Sequence, residues 1–445
     1  MHTASVVDPH WPTLLQRLSG VVDLDASARA SGALRRRRAV GDGATLLRLA
    51  LAHGPGGLSL RSAAAWAGVS GIAALSDVAL RKRVRGAADW LGLVAGALLR
   101  RAAAGPFAAL LAGRRLRIVD ASSISAPGAV GTDWRVHAEY DPSAGRFTGF
   151  ELTGIRGAEG FARFRFAAGE VALGDRGYAH PRGLQHVLAS GADFIVRVGW
   201  YSLRLTTPQG DPLAWEPLLA SLAPGEVTER QVVVTRQSEG AGRRKKPLFA
   251  GRLIVRCQHQ AASTRELRAV REKHRKQRWH GTMQPLTLAS AGYLMVLTSL
   301  PAAAASAAEV LAAYRLRWQV ELAFKRLKSG LGIDRLQARD ERLARSWLLA
   351  HLILALLIED ASGEVLDASP VREAGPRRPV SLWRLHALLR KVLVGTVLCI
   401  GAATSLVQAT AVLVRHICDP PRRRPSQSAA ARIATTTNGG PRPEG

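Results

Sequence analysis

Three acids in this chain stand where a metal-assisted reaction at phosphorus needs them. Glu321 lies within Ala312 to Arg339, a segment with no proline and no glycine before Gly330. Around it, Tyr314, Arg317, Glu321 and Lys328 are spaced so that the last three stand 3, 7 and 14 residues from the first. At about 100° per residue these fall on one helical stripe roughly 60° wide, about 21 Å long at ~1.5 Å per residue. A carboxylate set among an arginine, a tyrosine and a lysine suits a phosphodiester together with a metal ion. Taken alone, a surface helix laced with i,i+4 ion pairs accounts for the same residues.

Two further acids shift that balance. Asp120 closes the apolar run Leu116-Arg117-Ile118-Val119, and Asp175 closes Val171-Ala172-Leu173-Gly174 and is followed by Arg176-Gly177-Tyr178. Both read as the C-terminal ends of short strands. Acids on adjacent strand ends, with a third presented by a helix, form an all-oxygen cage of the kind magnesium or manganese prefers, and no zinc-like His/Cys pattern competes. Two such ions activate a water or 3′-hydroxyl and stabilise the leaving oxygen of an in-line displacement. Ser122, Ser123 and His137 form no Gly-x-Ser-x-Gly elbow. With no P-loop either, no nucleotide cofactor is expected.

The elements that must position these acids follow from periodicity. Residues 1–112 read as helical, and Ser59 and Ser76 each open a short helix, the second carrying Arg81, Lys82, Arg83 and Arg85 around a turn at Gly68-Val69-Ser70. That is either a helix-turn-helix outline or an ordinary helical hairpin with a basic face. From Arg115 the texture turns to strands, at Trp134 to Tyr140 and Arg146 to Thr153. A helix over Pro181 to Ala189 and a strand over Phe194 to Val198 follow, which predicts a mixed α/β sheet.

Residues 201–285 look inserted, with β-rich segments at Gln231 to Thr235 and Leu248 to Val255 and the tetrad Arg243-Arg244-Lys245-Lys246. A basic helix then covers about Thr264 to Arg278, where Arg265, Arg268, Arg271, Lys273, Arg275, Lys276 and Arg278 face only Glu266 and Glu272. This exceeds what solubility requires and favours a phosphate-contacting face. A strand at Tyr293 to Thr298 precedes helices running to Cys418.

Composition agrees. The 445 residues carry 62 Lys+Arg against 34 Asp+Glu, a net charge of +28, and 47% are hydrophobic. That excludes a wholly disordered chain and points to a polyanionic partner, nucleic acid before an anionic membrane. Cys257, Cys399 and Cys418 are too few and too scattered for a disulfide framework. Met1 to Gly20 shows no signal peptide. Val392 to Val414 is uncharged and long enough to raise a membrane flag, but its Gly, Ser, Thr and Gln content favours a buried helix. A cytoplasmic, nucleoid-associated protein is expected, with no membrane partner. The tail 419–445 reads as disordered.

On these residues the chain resembles DDE transposases of bacterial insertion sequences, specifically the insertion-sequence-four (IS-four) family. Asp120 after Arg117-Ile118-Val119, the Asp175-Arg176-Gly177-Tyr178 block, and Tyr314-x2-Arg317-x3-Glu321-x6-Lys328 carry the resemblance, with Leu322-Ala323-Phe324-Lys325-Arg326-Leu327 inside the last. Ala121-Ser122 departs from the Gly-Thr or Ser-Thr common after the first aspartate. The resemblance spans roughly 55–390.

It implies an α/β ribonuclease-H-like catalytic core with a β-rich insertion, flanked by helical N- and C-terminal regions. The separation of 146 positions from Asp175 to Glu321 fits that interruption. The implied organisation is a helical DNA-binding region over 1–112, the core over 113–200 and 286–360 around the basic insertion 201–285, and C-terminal helices over 361–418 that serve dimerisation. Asp120, Asp175 and Glu321 are implied catalytic residues and ligands of two Mg2+ or Mn2+ ions. Tyr314, Arg317 and Lys328 are implied contacts to DNA phosphates. Arg176, Lys325, Arg81, Lys82, Arg83, Arg271, Arg275 and Lys276 join them as expected DNA-binding residues. The implied activity is cleavage at terminal inverted repeats and strand transfer into target DNA by a dimer. The alternative is a catalytically inactive DNA-binding derivative. Trp200, Trp215, Trp279 and Tyr293 are open for the aromatic with which relatives hold a flipped base.

Overall fold

The computed structural model describes residues 10–398, apart from 37, 106–107, 112, 126–127, 129–132, 237–245, 277–282 and 369–379. The first three residues of the basic tetrad, Arg278, Trp279, His280, the uncharged stretch beyond Leu398, Cys399, Cys418 and the tail lie outside the described residues.

Helices come first: α1 (His10–Ser19), α2 (Leu24–Ala30), α3 (Gly43–His53), α4 (Leu60–Val69), α5 (Asp77–Gly86) and α6 (Ala88–Ala104). Asp23, Asp42, Ser59 and Ser76 cap α2 to α5, each side chain accepting a backbone N–H of the first turn. Such caps satisfy donors that a helix start otherwise leaves orphaned. The turn between α4 and α5 falls at Ser70–Gly71 rather than Gly68–Ser70, because Gly71 supplies the left-handed residue (φ 67°) that ends the helix.

Strands β1 (Arg115–Ile124), β2 (Trp134–Asp141) and β3 (Arg146–Gly154) form an antiparallel meander. Then β4 (Glu170–Gly174), α7 (Pro181–Ala189) and β5 (Asp193–Arg197) add two strands parallel to β1. The segment expected as an insertion supplies β6 (Leu205–Thr206), α8 (Trp215–Ala220), β7 (Val227–Thr235), β8 (Pro247–Cys257) and α9 (Gln260–Lys276), followed by α10 (Pro285–Ser290) and β9 (Tyr293–Thr298). It makes no separate sheet. Strand β9 pairs with β5 on one side and β8 on the other, giving one nine-stranded sheet ordered β3-β2-β1-β4-β5-β9-β8-β7-β6. Helices α11 (Ala307–Arg315), α12 (Trp318–Lys325), α13 (Glu341–Asp367) and α14 (Leu382–Leu398) close the described chain.

Alternation along the strands sends side chains to two faces. Leu116, Ile118, Leu173, Ile195 and Val296 pack with the N-terminal helices and α11 to α14, whereas Val119, Ala172, Phe194, Val196 and Leu297 pack with α7 and α8. Helix α13 runs through the first core, and Arg48 of α3 fixes its neighbour α14. The Arg48 Nε and Nη2 donate to the carbonyls of Val397 (2.8 Å) and Thr396 (3.2 Å), with the guanidinium 4.8 Å from the Trp11 ring centroid. A cation on the last carbonyls of a helix is favoured by both hydrogen bonding and the helix dipole. Among the described residues no helix is long and apolar enough to cross a membrane.

His351 of α13 is 2% exposed, donates Nδ1–H to the Trp347 carbonyl (2.8 Å), and is held by burial to a pKa of about 3. Only the unfolded chain therefore protonates it readily, so stability drops as pH falls from about 6.5 toward 3, by up to ~1.4 kcal/mol per pH unit. In His351→Leu, urea denaturation between about pH 6.5 and 4.5 should show a visibly smaller acid slope. An unchanged slope would assign the acid sensitivity elsewhere.

Candidate active site

Strand register brings the two aspartates together. The β1/β4 pairing runs from Arg115↔Glu170 to Ile118↔Leu173, an offset of 173 − 118 = 55. Two residues further, the same offset points Asp120 toward Asp175, which lies just past the end of β4 and whose charge acts on it. Contrary to the sequence expectation, Asp120 is not at a strand end. Strand β2 goes on supplying partners, Asp120↔Ala138 through Ile124↔Trp134, after β4 has stopped at Gly174. Asp175 instead leaves the sheet at once and heads the 3₁₀ turn Arg176–Tyr178. Gly174 permits that turn: a Cβ there would sit 2.8–2.9 Å from Tyr178 and Phe161.

The glutamate arrives on a broken helix, which corrects the single even stripe expected from spacing. Helix α11 ends at Arg315 and α12 begins at Trp318. Between them Leu316, Arg317, Gln319 and Val320 N–H groups bond three residues back, to Ala313, Tyr314, Leu316 and Arg317 carbonyls (2.8–3.2 Å). After Lys325 the winding loosens into a π turn, Arg326–Gly330, which carries Lys328. Tight winding advances each residue further around the axis and loose winding less, so Lys328 is not carried at the even 3.6-residue pitch.

One guanidinium joins the acids. Arg317, whose side chain is 15% exposed, places Nη2 2.6 Å from Glu321 Oε1 and Nη1 4.0 Å from Asp175 Oδ2. The buried Tyr314 hydroxyl donates to Asp175 Oδ1 (3.2 Å), and Asp120 Oδ1 accepts the Ala121 N–H (2.8 Å). Burial pushes Asp120 up to about 6; Glu159 and Asp175 push the same way, while the Ala121 N–H and Arg317 pull it back. Burial also pushes Asp175 upward, but Arg317, the Arg176 N–H, Arg197 and Tyr314 outweigh it and hold this carboxyl below its ordinary value. Desolvation works against the charge on Arg317, yet Tyr314, Asp175 and Glu321 raise its pKa above normal.

The donors Asp120, Asp175 and Glu321 are all oxygen, the chemistry that magnesium and manganese take. A buried carboxylate raised to about 6 is one that a nearby cation would stabilise. Among the described residues, no three His, Cys, Asp or Glu side chains are gathered closely enough to hold a metal ion. The positive charge between these carboxylates is Arg317.

Other expected residues are spread wider. Arg176 is exposed beside Asp175, and Lys325 is exposed with Nζ 5.9 Å from the Trp383 ring centroid. On α5, Arg81 and Lys82 are exposed and Arg83 donates to the Arg36 carbonyl (3.1 Å). That helix is tied through Arg85–Asp340 (3.1 Å) to the start of α13, not to the carboxylates. Arg271 and Arg275 are exposed on α9, whose last residue is Lys276. A cavity of about 190 Å³ lined by Phe147, Arg326, Glu359, Trp383, His386 and Arg390 lies on the α12 face turned away from Glu321 at ~100° per residue. Two charged neighbours of the acids escape sequence reading, Glu159 and Arg197. Glu159 carries no signal at all; Arg197 is signalled only once strand register is known.

Known proteins similar to this chain agree with one another. The family described as "Transposase DDE domain" matches residues 111–357. The putative transposase InsL for insertion sequence element IS186A of Escherichia coli (strain K12) is 43% identical over 370 residues, 83% of this chain and 98% of that protein. The Escherichia coli transposase for insertion sequence element IS421 is 43% identical over 371 residues, with the same coverage. A piggyBac transposase synaptic complex with hairpin DNA, solved by cryo-EM, overlaps 96% of this chain and 88% of its own at TM-score 0.46 and 8% identity.

The raised pKa of Asp120 fixes the sign of one substitution. The folded chain holds that proton more tightly than the unfolded chain, whose value is 3.8, so ionising Asp120 costs stability as pH rises through about 6. Asp120→Asn, which keeps the acceptor for Ala121 N–H, should be more stable than wild type by about 1–3 kcal/mol at pH 7.5 in EDTA. Thermal melting checks this, and a lower melting point in the variant would reverse the assignment.

Proposed function

The chain belongs to the DDE transposases, of the insertion-sequence-four type, and from that membership we propose that it cuts DNA at terminal inverted repeats and joins the freed 3′-ends to target DNA in cut-and-paste transposition. Asp120, Asp175 and Glu321 are the catalytic carboxylates of this reading. The observation that supports it is that Arg317 pairs with Glu321 and reaches toward Asp175, while its charge also acts on Asp120 of β1. The order β3-β2-β1-β4-β5, with β1, β4 and β5 parallel, supports a ribonuclease-H-like core extended by the β6–β9 strands.

The three carboxylates would hold two divalent ions, Mg2+ or Mn2+, which when bound supply Lewis acidity to the attacking and leaving oxygens of a displacement at phosphorus. The chain's own residues do the rest. Tyr314 orients Asp175 by donating to one of its oxygens, leaving the other directed toward Arg317. Arg317 offsets the charge of the acids in the free protein, and its fork of donors would suit a DNA phosphate. Lys328, Lys325 and Arg176 border this region. Arg81, Lys82 and Arg83 on α5 and Arg271, Arg275 and Lys276 on α9 are the more distant phosphate contacts. A net charge of +28 supports such a polyanionic partner. The acting species is a homodimer joined through the C-terminal helices that pairs two ends beside the cytoplasmic nucleoid.

The test is cleavage of a DNA fragment carrying the flanking terminal repeats, with magnesium, manganese or EDTA. Cutting should need the metal and fall by about 10³-fold or more in Asp120→Ala, Asp175→Ala and Glu321→Ala, with end binding kept. Lys328→Ala should weaken binding and flatten its salt dependence by about one released counterion. Binding without cutting under every metal would instead favour the catalytically inactive derivative.

A further inference from the structure

The register that pairs the two aspartates extends one strand further. Strand β5 pairs with β4 from Val171↔Asp193 to Gly174↔Val196, an offset of 22. Continued one position past the end of β4, that offset points Arg197 toward Asp175, in line with Asp120 of β1 (120 + 55 = 175; 175 + 22 = 197). In-register residues of parallel strands point to the same face. On that face Ile118, Leu173 and Ile195, two residues before each, share one core. The charge of Arg197 reaches both Asp175 and Tyr314.

This arginine is only loosely held. Its Nη2 lies 3.7 Å from Glu266 Oε2, beyond a hydrogen bond, with the two side chains 20% and 40% exposed. Such a pair contributes little and is easily exchanged. Glu266 sits on α9, among the exposed Arg265, Arg268, Arg271 and Arg275. Arg197 thus stands where the carboxylate row meets the basic helix.

We propose that Arg197 is a substrate-contacting residue that exchanges Glu266 for a phosphate of the DNA end, adjacent to the phosphodiester held over Asp120 and Asp175. The planar fork of arginine suits a phosphate better than a distant carboxylate oxygen. Glu266 is then a placeholder that keeps the guanidinium and α9 in position until DNA arrives. This inference rests on the transposase reading above and adds one residue to it.

The test compares wild type, Arg197→Ala, Arg197→Lys, Glu266→Gln and Asp120→Ala on the terminal-repeat fragment, measuring end binding against salt and cutting at saturating protein. Arg197→Ala should flatten the salt slope by about one counterion and slow cutting about tenfold through lost positioning. Arg197→Lys should recover the slope but only part of the rate, which also guards against a folding defect in the alanine variant. Glu266→Gln, freeing the arginine, should tighten end binding about two- to fivefold at low salt. If wild type cuts, Asp120→Ala does not, and Arg197→Ala matches wild type in slope and rate, the inference on Arg197 is overturned while the transposase reading stands. Weaker end binding in Glu266→Gln would overturn the exchange. A wild type that binds ends but cuts with no metal overturns the catalytic reading instead, and the salt slopes then decide the phosphate contact alone.

Discussion

Everything around the site answers to one requirement: the charge of Arg317 must be compensated where water is largely excluded. Burying a guanidinium costs several kcal/mol unless opposite charges meet it at good geometry. Here the compensation comes from parts of the chain far apart in sequence, Asp175 at 4.0 Å and Glu321 at 2.6 Å. Neither carboxylate is held alone. Tyr314 donates to the other oxygen of Asp175, and on β1 Asp120 accepts the N–H of the next residue, Ala121. Removing either carboxylate leaves the part-buried Arg317 with one partner fewer, which ties the tyrosine, the arginine and these acids together.

That requirement constrains the backbone. An unbroken helix from Ala307 would carry Arg317 and Glu321 at the even pitch of 3.6 residues per turn. The run of three-residue hydrogen bonds at Leu316 to Val320 rewinds the chain where the arginine must turn inward. The π turn at Arg326–Gly330 follows directly. Departures of this kind cost hydrogen-bond quality and are tolerated mostly at functional sites. The sheet supplies the rigid counterpart, since Asp120 lies on β1 and Asp175 directly follows β4, strands fixed in register by two packed faces.

Much of this was legible in the residues themselves. Alternation predicts strands at Trp134–Tyr140 and Arg146–Thr153, and a helix is expected at Pro181–Ala189, close to what forms. The grouping of Asp120, Asp175, Tyr314, Arg317 and Glu321 follows from acids at apolar runs and from spacing along one segment. What escaped depends on tertiary pairing. Nothing in the sequence says that β2 outlasts β4 and so leaves Asp120 in mid-strand. The apparent insertion likewise gives no hint that β9 ties it to β5 as one sheet. Arg197 ends an ordinary apolar strand, and becomes notable only when its row is counted. Glu159 sits in a loop with no periodicity at all.

The same pairing explains how a chain with 28 excess positive charges keeps an acidic centre. Several of its acids are engaged internally. Glu139 and Glu170 hold the half-buried Arg117, Asp141 holds Arg115, and Asp360 and Glu364 hold Arg17. Cations such as Arg81, Lys82, Arg265, Arg268, Arg271 and Arg275 are left on the exposed faces of α5 and α9. Salt screens exposed charges over about 8 Å at physiological strength but reaches buried pairs far less. The attraction of this surface for a polyanion is therefore tunable by ionic strength, whereas the field that Arg317 and the carboxylates set within the site is not. Because β9 hydrogen-bonds to β5 and β8 alike, α9 is carried on the same sheet as the aspartates. On the function proposed above, nucleic acid drawn to that helix would lie next to the Arg197–Glu266 pair that borders the acids.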